Sequence, residues 1–494
     1  MASPLHVVIL AAGQGTRMKS RLPKVLHPVA GRPMLDHVLD AARALSAAGC
    51  HVVHGHGAEK VREWFEKNRG HGPLPQSGAA GSVAPQSGAA GSVGAPHGRD
   101  RGQGPLPPVS WVLQAEQKGT AHAVAQALPG IPDNATVMVL YGDVPLMRAQ
   151  TLQPLLQGAG LALLTAELPD PQGYGRILRN KSGAVIGIVE DKDASAAQRR
   201  IREINTGILV APAKALKRWL PKVGNKNAKG EYYLTDIVAL AVKDKVKVTA
   251  HTVEDFAEVQ GVNDPLQLAE AERAYQRRAA AELMRQGLQI RDPARFDLRG
   301  TLKFGADVAI DVGVVIEGAV ELGDGVSIGP YTLLRNARLG AGTRVESHSV
   351  LDSMQAGRDC RIGPFARIRP DSVLADEVHV GNFVEVKKTT LGKASKANHL
   401  AYLGDGTVGA QVNIGAGTIF CNYDGAHKHQ TVLEDAVFVG SDTQLVAPVR
   451  VGRGATIAAG STITKDVPPG GLAVCRAKEQ RHYPDWKRPT KKPG

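Results

Sequence analysis

The stretch LGDGVSIGPYTLLRNARLGAG, residues 322–342, shows the pattern that governs the carboxyl-terminal part of this 494-residue chain. Aliphatic-glycine pairs recur within it and on both sides of it, and five of the eleven intervals between successive pairs are multiples of six. A six-residue repeat is typical of a parallel β-helix, where one aliphatic side chain per short strand points inward and glycine fits the turns. From about residue 300 onward, the sequence therefore predicts a β-helix.

The part that precedes this repeat alternates short apolar runs with helical patterns. Residues 6–10, 136–141 and 161–165 are candidate strands, and residues 34–45 have helical spacing. Strands that alternate with helices predict βαβ units and a mostly parallel sheet. The sequence thus predicts an α/β, Rossmann-like domain in front of the β-helix.

The chain is long enough for two or more domains, because a single core rarely grows beyond about 250–300 residues. A helix is predicted to begin at Asp264-Pro265, since aspartate caps helices and proline is tolerated in the first turn. We predict four regions: the α/β domain at 1–263, a linker helix at 264–290, a left-handed parallel β-helix domain at 291–470, and a basic tail at 471–494.

Residues 70–108 depart from the α/β pattern. They contain 10 glycines and 7 prolines, and PQSGAAGSV occurs twice, at 75–83 and 85–93. Such a composition cannot bury enough apolar surface to offset the entropy lost on ordering. We interpret this segment as a disordered surface loop without a chemical role.

The composition also limits the function. The chain carries a net charge of +13 and 56 glycines, but only 8 Phe, 4 Trp and 9 Tyr. A basic surface attracts polyanions, but RNA-binding folds usually add aromatic platforms. Widely spaced cysteines predict no metal or redox motif, and no apolar run is long enough for a signal peptide or a membrane span. We therefore expect a cytoplasmic protein without membrane insertion.

The motif LAAGQGTRM at 10–18, followed by Pro23-Lys24, predicts a phosphate site. A strand runs into a glycine-rich turn whose backbone N–H groups can surround phosphates, and Arg17 and Lys24 add positive charge. Asp143 follows the strand at 136–141, at the sheet edge where open α/β folds bind ligands. Its carboxylate could hold Mg²⁺ or, alternatively, only cap the turn before Pro145.

Further motifs carry a family resemblance. QAEQKGTAHA at 114–123, YGDVPL at 141–146, GYGR at 173–176, EINTGIL at 203–209 and GVND at 261–264 resemble sugar-nucleotide pyrophosphorylases. FARIRP at 365–370, GNFVEVKK at 381–388, NHLAYLGD at 398–405, NIGAGTIFCNYDG at 413–425 and VGSDTQLVAP at 439–448 resemble an acetyltransferase β-helix. In this order they resemble the bacterial bifunctional N-acetylglucosamine-1-phosphate uridyltransferases/glucosamine-1-phosphate acetyltransferases.

The resemblance implies a uridyltransferase site in the first domain, with UTP as the nucleotide substrate. It assigns Leu10, Ala11, Ala12 and Gly13 to the nucleotide, Arg17 and Lys24 to the phosphates, Gln114, Gly119 and Thr120 to uracil, Tyr141, Gly142, Gly175, Glu190 and Asn205 to the sugar-nucleotide, and Asp143 and Asn263 to Mg²⁺. Since the attacking sugar phosphate is already an anion, this reaction needs positioning and charge neutralisation but no general base.

The resemblance also implies an acetyltransferase site in the β-helix. Here an amine must lose a proton before it attacks the thioester, which suits a histidine base. His399, expected in a loop that interrupts the repeat, is the candidate, and Glu385 is a hypothetical orienting residue. The resemblance assigns Arg369, Lys387, Tyr402 and Asn413 to the sugar phosphate, and Ala416, Asn422, Tyr423, Ser441, Ala459 and Arg476 to acetyl-CoA.

Three functions follow from these patterns. The first is a bifunctional enzyme that supplies UDP-N-acetylglucosamine for peptidoglycan and lipopolysaccharide, and the resemblance implies that it is a homotrimer. In the second, the β-helix only holds a trimer together, although a purely structural coil has no need of His399 and its cationic neighbours. The third is a basic nucleic-acid-binding protein, which the scarcity of aromatic residues disfavours. We expect the bifunctional enzyme, which would bind small-molecule substrates and no nucleic acid.

Overall fold

The chain is represented by a computed structural model that describes residues 3–13, 15–55, 59–68 and 107–476. It divides into two compact units, Met1–Ala279 and Ala280–Gly494. The predicted low-complexity loop at 70–108 lies outside the described residues, apart from its last two positions, and so does the predicted tail beyond residue 476.

The first unit contains strands and helices in alternation. Its strands are β1 (Leu5–Leu10), β2 (Pro28–Val29), β3 (Arg32–Pro33), β4 (Gly49–His54), β5 (Val109–Leu113), β6 (Thr136–Tyr141), β7 (Leu161–Glu167), β8 (Arg176–Arg179), β9 (Val185–Val189), β10 (Glu203–Pro212) and β11 (Val248–Thr252). Its helices are α1 (Met34–Ala44), α2 (Glu59–Asn68), α3 (Thr120–Ala127), α4 (Ala149–Leu152), α5 (Ala213–Trp219) and α6 (Ile237–Lys243), and α7 (Pro265–Arg285) continues into the second unit.

The main sheet of this unit has the strand order β11-β7-β10-β6-β1-β4-β5. Strand β1 is parallel to both β4 and β6, as the βαβ pattern predicts, whereas β10 is antiparallel to β6 and β7. Because side chains alternate along a strand, Val7 and Ile9 enter one core cluster, and Val8 enters the other. The sheet is therefore covered on both faces, which explains why its central strands read as continuous apolar runs.

The second unit is a succession of short parallel strands. They are β12 (Gln289–Ile290), β13 (Asp297–Phe304), β14 (Ala309–Ile310), β15 (Val315–Leu322), β16 (Ser327–Ile328), β17 (Leu333–Arg335), β18 (Arg338–Leu339), β19 (Arg344–Val345), β20 (Val350–Asp352), β21 (Met354–Ala356), β22 (Arg361–Ile362), β23 (Arg367–Ile368), β24 (Ser372–Leu374), β25 (His379–Asn382), β26 (Glu385–Lys387), β27 (Thr390–Leu391), β28 (Lys396–His399), β29 (Tyr402–Gly404), β30 (Gly406–Val408), β31 (Asn413–Ile414), β32 (Ile419–Cys421), β33 (Thr431–Leu433), β34 (Phe438–Val439), β35 (Gln444–Val446), β36 (Val449–Val451), β37 (Thr456–Ile457), β38 (Thr462–Ile463) and β39 (Leu472–Ala473).

These strands stack in register from one coil to the next. Ile310, Ile328, Val345, Ile362 and Val380 are successive partners in one column, and all five are buried. Aliphatic columns of this kind fill the core, and buried hydroxyls bridge the coils: Oγ1 of Thr343, for example, donates to the carbonyl of Gly357 at 2.9 Å. The predicted α/β, Rossmann-like domain and the parallel β-helix predicted to follow it are therefore confirmed.

Glycine in the β-helix allows neighbouring coils to approach closely. A Cβ atom at Gly381 would lie 1.9 Å from the carbonyl oxygen of Asn398 in the next coil. We expect Gly381→Ala to lower the free energy of unfolding by about 1–3 kcal/mol, the usual cost of forcing extra atoms into a packed core. Denaturant titration checks this, with Gly158→Ala as the control, because a Cβ at Gly158 meets nothing within 4 Å. Equal stability of the two variants would contradict the packing argument.

Candidate functional site

The glycine-rich turn and the predicted aspartate meet at the carboxyl edge of the main sheet. Leu10, the last residue of β1, pairs with Tyr141, the last residue of β6, and the backbone N–H of Gly142 donates to the carbonyl of Leu10 at 2.9 Å. Ala11, which follows β1, therefore lies beside Gly142, the residue before Asp143, as the sheet-edge argument predicts.

Lys24 joins three segments that are distant in sequence. Its Nζ donates to Oδ2 of Asp143 at 2.5 Å and to Oδ1 of Asn263 at 2.7 Å. The Lys24 side chain is only 10% exposed, and a Cβ at Gly15 would lie 2.8 Å from the Lys24 Cβ. Gly15 thus gives the lysine stem room to reach the cluster, while Arg17 lies exposed in the short 3-10 helix Thr16–Met18.

The two oxygens that hold the Lys24 ammonium also suit a hard cation. They are the carboxylate of Asp143 and the side-chain carbonyl of Asn263, and the backbone N–H of Val262 donates to the Asp143 carbonyl at 2.9 Å, which fixes the two segments together. Magnesium binds oxygen ligands and commonly takes one or two from the protein and the rest from water and phosphates. The donor set therefore fits Mg²⁺.

The residues assigned to uracil form a second group beside the turn. Gln114 is 3% exposed, and its Nε2 donates to the carbonyl of Gly119 at 3.2 Å, while Oγ1 of Thr120 accepts from the backbone N–H of Leu234 at 3.0 Å. Gly119 has φ +115°, and a Cβ there would lie 2.5 Å from the carbonyl oxygen of Tyr232. Only glycine fits this position, where the backbones of the two segments are in contact.

A cavity of about 250 Å³ brings together most residues assigned to the sugar-nucleotide. Thr120, Tyr141, Gly175, Glu190 and Asn205 line it. Sequence reasoning missed other lining residues that the structure adds, namely Tyr174, Lys229, Glu231, Tyr233 and Thr235. The run EYYLTD at 231–236 could have pointed to them, because adjacent aromatic residues are unusual in this chain.

Glu190 is a partly buried acidic group of this cavity. Its Oε1 accepts a hydrogen bond from Oγ1 of Thr235 at 3.0 Å. Burial raises the pKa of Glu190, and burial together with the nearby Asp143 and Glu190 carboxylates raises the pKa of Tyr141. The cavity thus offers a carboxylate, a phenol and an amide, a set that can hydrogen-bond the hydroxyl groups of a sugar.

In the second unit, stacked charges lead to another site. Arg299 binds Glu317, and Glu317 binds Arg335, which also contacts Asp352 at 3.1 Å. These residues occupy one column of successive coils, with charges of alternating sign. In the same column, the register places Arg369 after Asp352 and Lys387 after Arg369. Arg369 and Lys387 are therefore two successive cations in this column, and the alternation of charge ends there.

Around these two cations the structure groups further polar residues. Arg369 binds Glu385 at 2.7 Å, and Lys387 lies 3.4 Å from Asp405. Contact with the Lys387 ammonium lowers the pKa of Lys428, which sequence reasoning did not identify. Three cations share two carboxylates here, so the cluster carries a net positive charge suited to a phosphate group.

Two other assigned residues adjoin this cluster. The Asn422 amide donates to Asp405 and lies 3.5 Å from the Tyr402 hydroxyl. Asn413, also assigned to the sugar phosphate, lies on a different sheet, between Lys396 and Phe438 in register. The structure therefore groups Arg369, Lys387 and Tyr402 but sets Asn413 apart from them.

His399 lies at the end of strand β28, so the expectation that it lies in a loop was wrong. The strand continues the β-helix, and the irregular spacing of the repeat comes from the turns between strands. The hypothesis that Glu385 orients His399 is not supported either, because Glu385 binds Arg369. His399 Nδ1 instead lies 2.9 Å from Oδ1 of Asn382.

Three of the residues assigned to acetyl-CoA follow His399 along one corner of the β-helix. Backbone hydrogen bonds join Asp442 to Ala416 and Gly460 to Ser441, and Nε of Arg476 donates to the carbonyl of Ala459 at 2.7 Å. Ala416, Ser441 and Ala459 thus occupy successive coils. Tyr423 is exposed, and its hydroxyl donates to the carbonyl of Gly425 at 2.6 Å.

Comparisons with known proteins agree with both halves of this arrangement. Residues 7–172 match the model of the MobA-like NTP transferase domain, and residues 298–397 match the model of the GMPPB C-terminal domain. The Bifunctional protein GlmU of Alkalilimnicola ehrlichii is 56% identical to this chain, covering 100% of the chain and 98% of that protein. The protein of the same name from Stenotrophomonas maltophilia is 53% identical over 100% of both chains.

Identity of this extent over the full length shows the family, and it agrees with a nucleotidyltransferase-type sheet and a parallel β-helix in one chain. The chain therefore belongs to the bifunctional GlmU family, the transferases that acetylate glucosamine-1-phosphate and then uridylylate N-acetylglucosamine-1-phosphate to make UDP-N-acetylglucosamine.

Proposed function

We propose that this chain performs its two transfers at two separate sites, uridylyl transfer in the α/β domain and acetyl transfer in the β-helix. The observation that carries the proposal is the convergence of Lys24, Asp143 and Asn263 on one point at the carboxyl edge of the sheet. A lysine that can bind phosphate, next to two oxygen ligands at a sheet edge, suits nucleotidyl transfer.

In uridylyl transfer, a phosphate oxygen of N-acetylglucosamine-1-phosphate attacks the α-phosphorus of UTP, and pyrophosphate leaves. The cavity at Glu190 and Asn205 would hold the sugar, and Gln114 would read the uracil edge. Lys24 and Arg17 neutralise the negative charge that otherwise keeps the two phosphates apart. Since the nucleophile is already an anion, positioning and charge neutralisation are sufficient.

We propose that Asp143 and Asn263 hold Mg²⁺ when UTP is bound. A magnesium ion would neutralise the triphosphate and help to orient it. The Lys24 ammonium contacts the same two oxygens, so the lysine and the proposed cation site adjoin one another.

Removal of divalent metal ions is expected to affect only one of the two reactions. We expect chelation by EDTA to abolish uridylyl transfer and added Mg²⁺ to restore it, while acetyl transfer stays unchanged because its base and cations belong to the protein. Separate assays of pyrophosphate release and of CoA thiol release measure this. An acetyl transfer that also needs Mg²⁺ would contradict the division of roles.

In acetyl transfer, the phosphate of glucosamine-1-phosphate would bind Arg369 and Lys387, and Tyr402 would contact the sugar. His399 takes a proton from the amine, which then attacks the acetyl carbonyl of acetyl-CoA. The corner formed by Ala416, Ser441 and Ala459 would position the thioester along the β-helix, with Arg476 at its end. This order places the base at one end of the proposed acetyl-CoA track.

We also propose that the chain works as a homotrimer in the cytoplasm and supplies precursor for peptidoglycan and lipopolysaccharide. The separation of Asn413 from Arg369, Lys387 and Tyr402 within one chain supports the trimer, because a neighbouring copy could bring its own Asn413 to the sugar phosphate. Free cysteines and the use of UTP and acetyl-CoA suit a reducing compartment. In the part of the chain that is described, no helix is both long and apolar enough to cross a membrane.

The decisive experiment supplies acetyl-CoA, glucosamine-1-phosphate, UTP and Mg²⁺ to the full chain and measures UDP-N-acetylglucosamine. We expect product only when all four are present. If the chain makes product from N-acetylglucosamine-1-phosphate but not from glucosamine-1-phosphate, the β-helix is structural only. Sedimentation analysis of the same sample tests the trimer.

A further inference from the structure

The side chain of Asn382 contacts one of the two ring nitrogens of His399. The two residues are partners in the parallel pairing of β25 with β28, and the backbone N–H of Leu400 donates to the carbonyl of Asn382 at 3.1 Å. His399 Nδ1 lies 2.9 Å from the Asn382 Oδ1. Since an amide oxygen only accepts, this contact requires a hydrogen on Nδ1, so in the neutral ring the lone pair lies on Nε2.

We propose that Asn382 is the positioning residue for acetyl transfer, holding His399 in the tautomer and orientation in which Nε2 is the base. This inference rests on the proposed role of His399 and goes beyond it, because nothing in the resemblance assigns a role to Asn382. In a histidine, the hydrogen bond made by one ring nitrogen commonly sets whether the other ring nitrogen is protonated.

In the proposed acetyl transfer, His399 takes protons from the substrate nitrogen while it keeps its contact with Asn382. Nε2 of neutral His399 takes one proton from the ammonium group of glucosamine-1-phosphate, giving a free amine and an imidazolium. The amine forms a C–N bond with the acetyl carbonyl, the C–S bond of acetyl-CoA breaks, and the departing thiolate needs one proton. The imidazolium gives its Nε2 proton to that thiolate, and the neutral ring then takes the second proton from the nitrogen and releases it to water, while Nδ1–H stays bonded to Asn382.

An amide at this place has a different effect from a carboxylate. A carboxylate would stabilise the imidazolium and so leave less free base near neutral pH, whereas an amide orients the ring without adding charge. The titratable and charged groups around this part of the β-helix are His379 on β25, Arg361 on β22 and Lys396 on β28, which with His399 form one electrostatic group. None of these three neighbours is a carboxylate, so Asn382 adds a hydrogen bond to the ring without a negative charge.

Two variants test the proposal. We expect Asn382→Ala to lower kcat for acetyl transfer about tenfold or more, with KM for both substrates changed less than threefold, because the ring loses its fixed tautomer but the substrate contacts remain. We expect Asn382→Asp to keep activity at high pH and to move the acidic limb of the kcat profile up by about one pH unit or more. A purely structural role would not move that limb.

Ser347→Ala is the matched control, because Ser347 lies in the same corner of the β-helix but three coils before His399. Denaturant titration of the same preparations reports whether the β-helix of each variant is folded. Wild-type kcat and an unmoved acidic limb in the Asn382 variants, with His399→Ala inactive, would overturn this inference alone. Acetyl transfer that survives in His399→Ala would overturn the proposed base, and with it the inference.

Discussion

Replacing His399 with alanine is expected to reduce acetyl transfer by about 10²–10⁴-fold, the range that a positioned general base contributes. Its Nε2 is the proposed acceptor of the amine proton, and the methyl side chain of alanine at this end of β28 cannot accept a proton. Uridylyl transfer from UTP to N-acetylglucosamine-1-phosphate is expected to keep its wild-type rate. CoA thiol release and pyrophosphate release, assayed separately, measure the two rates.

His348→Ala is the control for this experiment. His348 is also a histidine on a corner of the β-helix, but it stacks on Phe365 with ring centroids 4.9 Å apart and has no proposed role. We expect its replacement to leave both activities intact. Equal loss of both activities in His399→Ala, or loss of acetyl transfer in His348→Ala as well, would count against a histidine base at position 399.

Replacing Asp143 with asparagine is expected to lower kcat/KM for uridylyl transfer by about 10²–10³-fold while acetyl transfer is unchanged. The substitution keeps the shape of the side chain but removes the negative charge that faces Lys24 at 2.5 Å and would hold Mg²⁺. The triphosphate then loses both a cation ligand and the fixed position of the lysine. Pyrophosphate release at several Mg²⁺ concentrations measures the effect, and a higher Mg²⁺ requirement is expected.

Asp133→Asn provides a matched comparison at the other end of the same strand. Asp133 precedes β6, is exposed, and pairs with Lys217 at 2.6 Å. Exposed ion pairs contribute little, so we expect wild-type activity and nearly wild-type stability. If Asp143→Asn behaves like Asp133→Asn, the carboxylate at the sheet edge has no part in uridylyl transfer.

Much of the fold could be predicted because its signals are local. The strand predicted at 136–141 is observed as Thr136–Tyr141, and the helix predicted from Pro265 is α7. The β-helix follows from a short period, and its aliphatic residues face inward as the repeat requires. The antiparallel strand β10 was not predicted, since its apolar run does not reveal its direction in the sheet.

The site was predicted as a set of residues but not as a set of contacts. The motifs indicated Lys24, Asp143 and Asn263, yet only the structure shows that one ammonium joins the other two. For Glu385, the contact that we expected with His399 is wrong, because Glu385 forms an ion pair with Arg369 instead. A motif identifies side-chain chemistry, whereas partners depend on which faces and coils come together.

Sequence alone determined the α/β and β-helix classes, the glycine-rich turn, and the family to which the motifs belong. It could do so because turn geometry, hydrophobic period and motif chemistry are properties of neighbouring residues. Tertiary structure alone decided that Asn382, 17 residues before His399, faces it across one coil, and that Lys24 meets a residue 239 positions away. These contacts depend on strand register and sheet order, which arise from packing over the whole unit and are not encoded in any short segment.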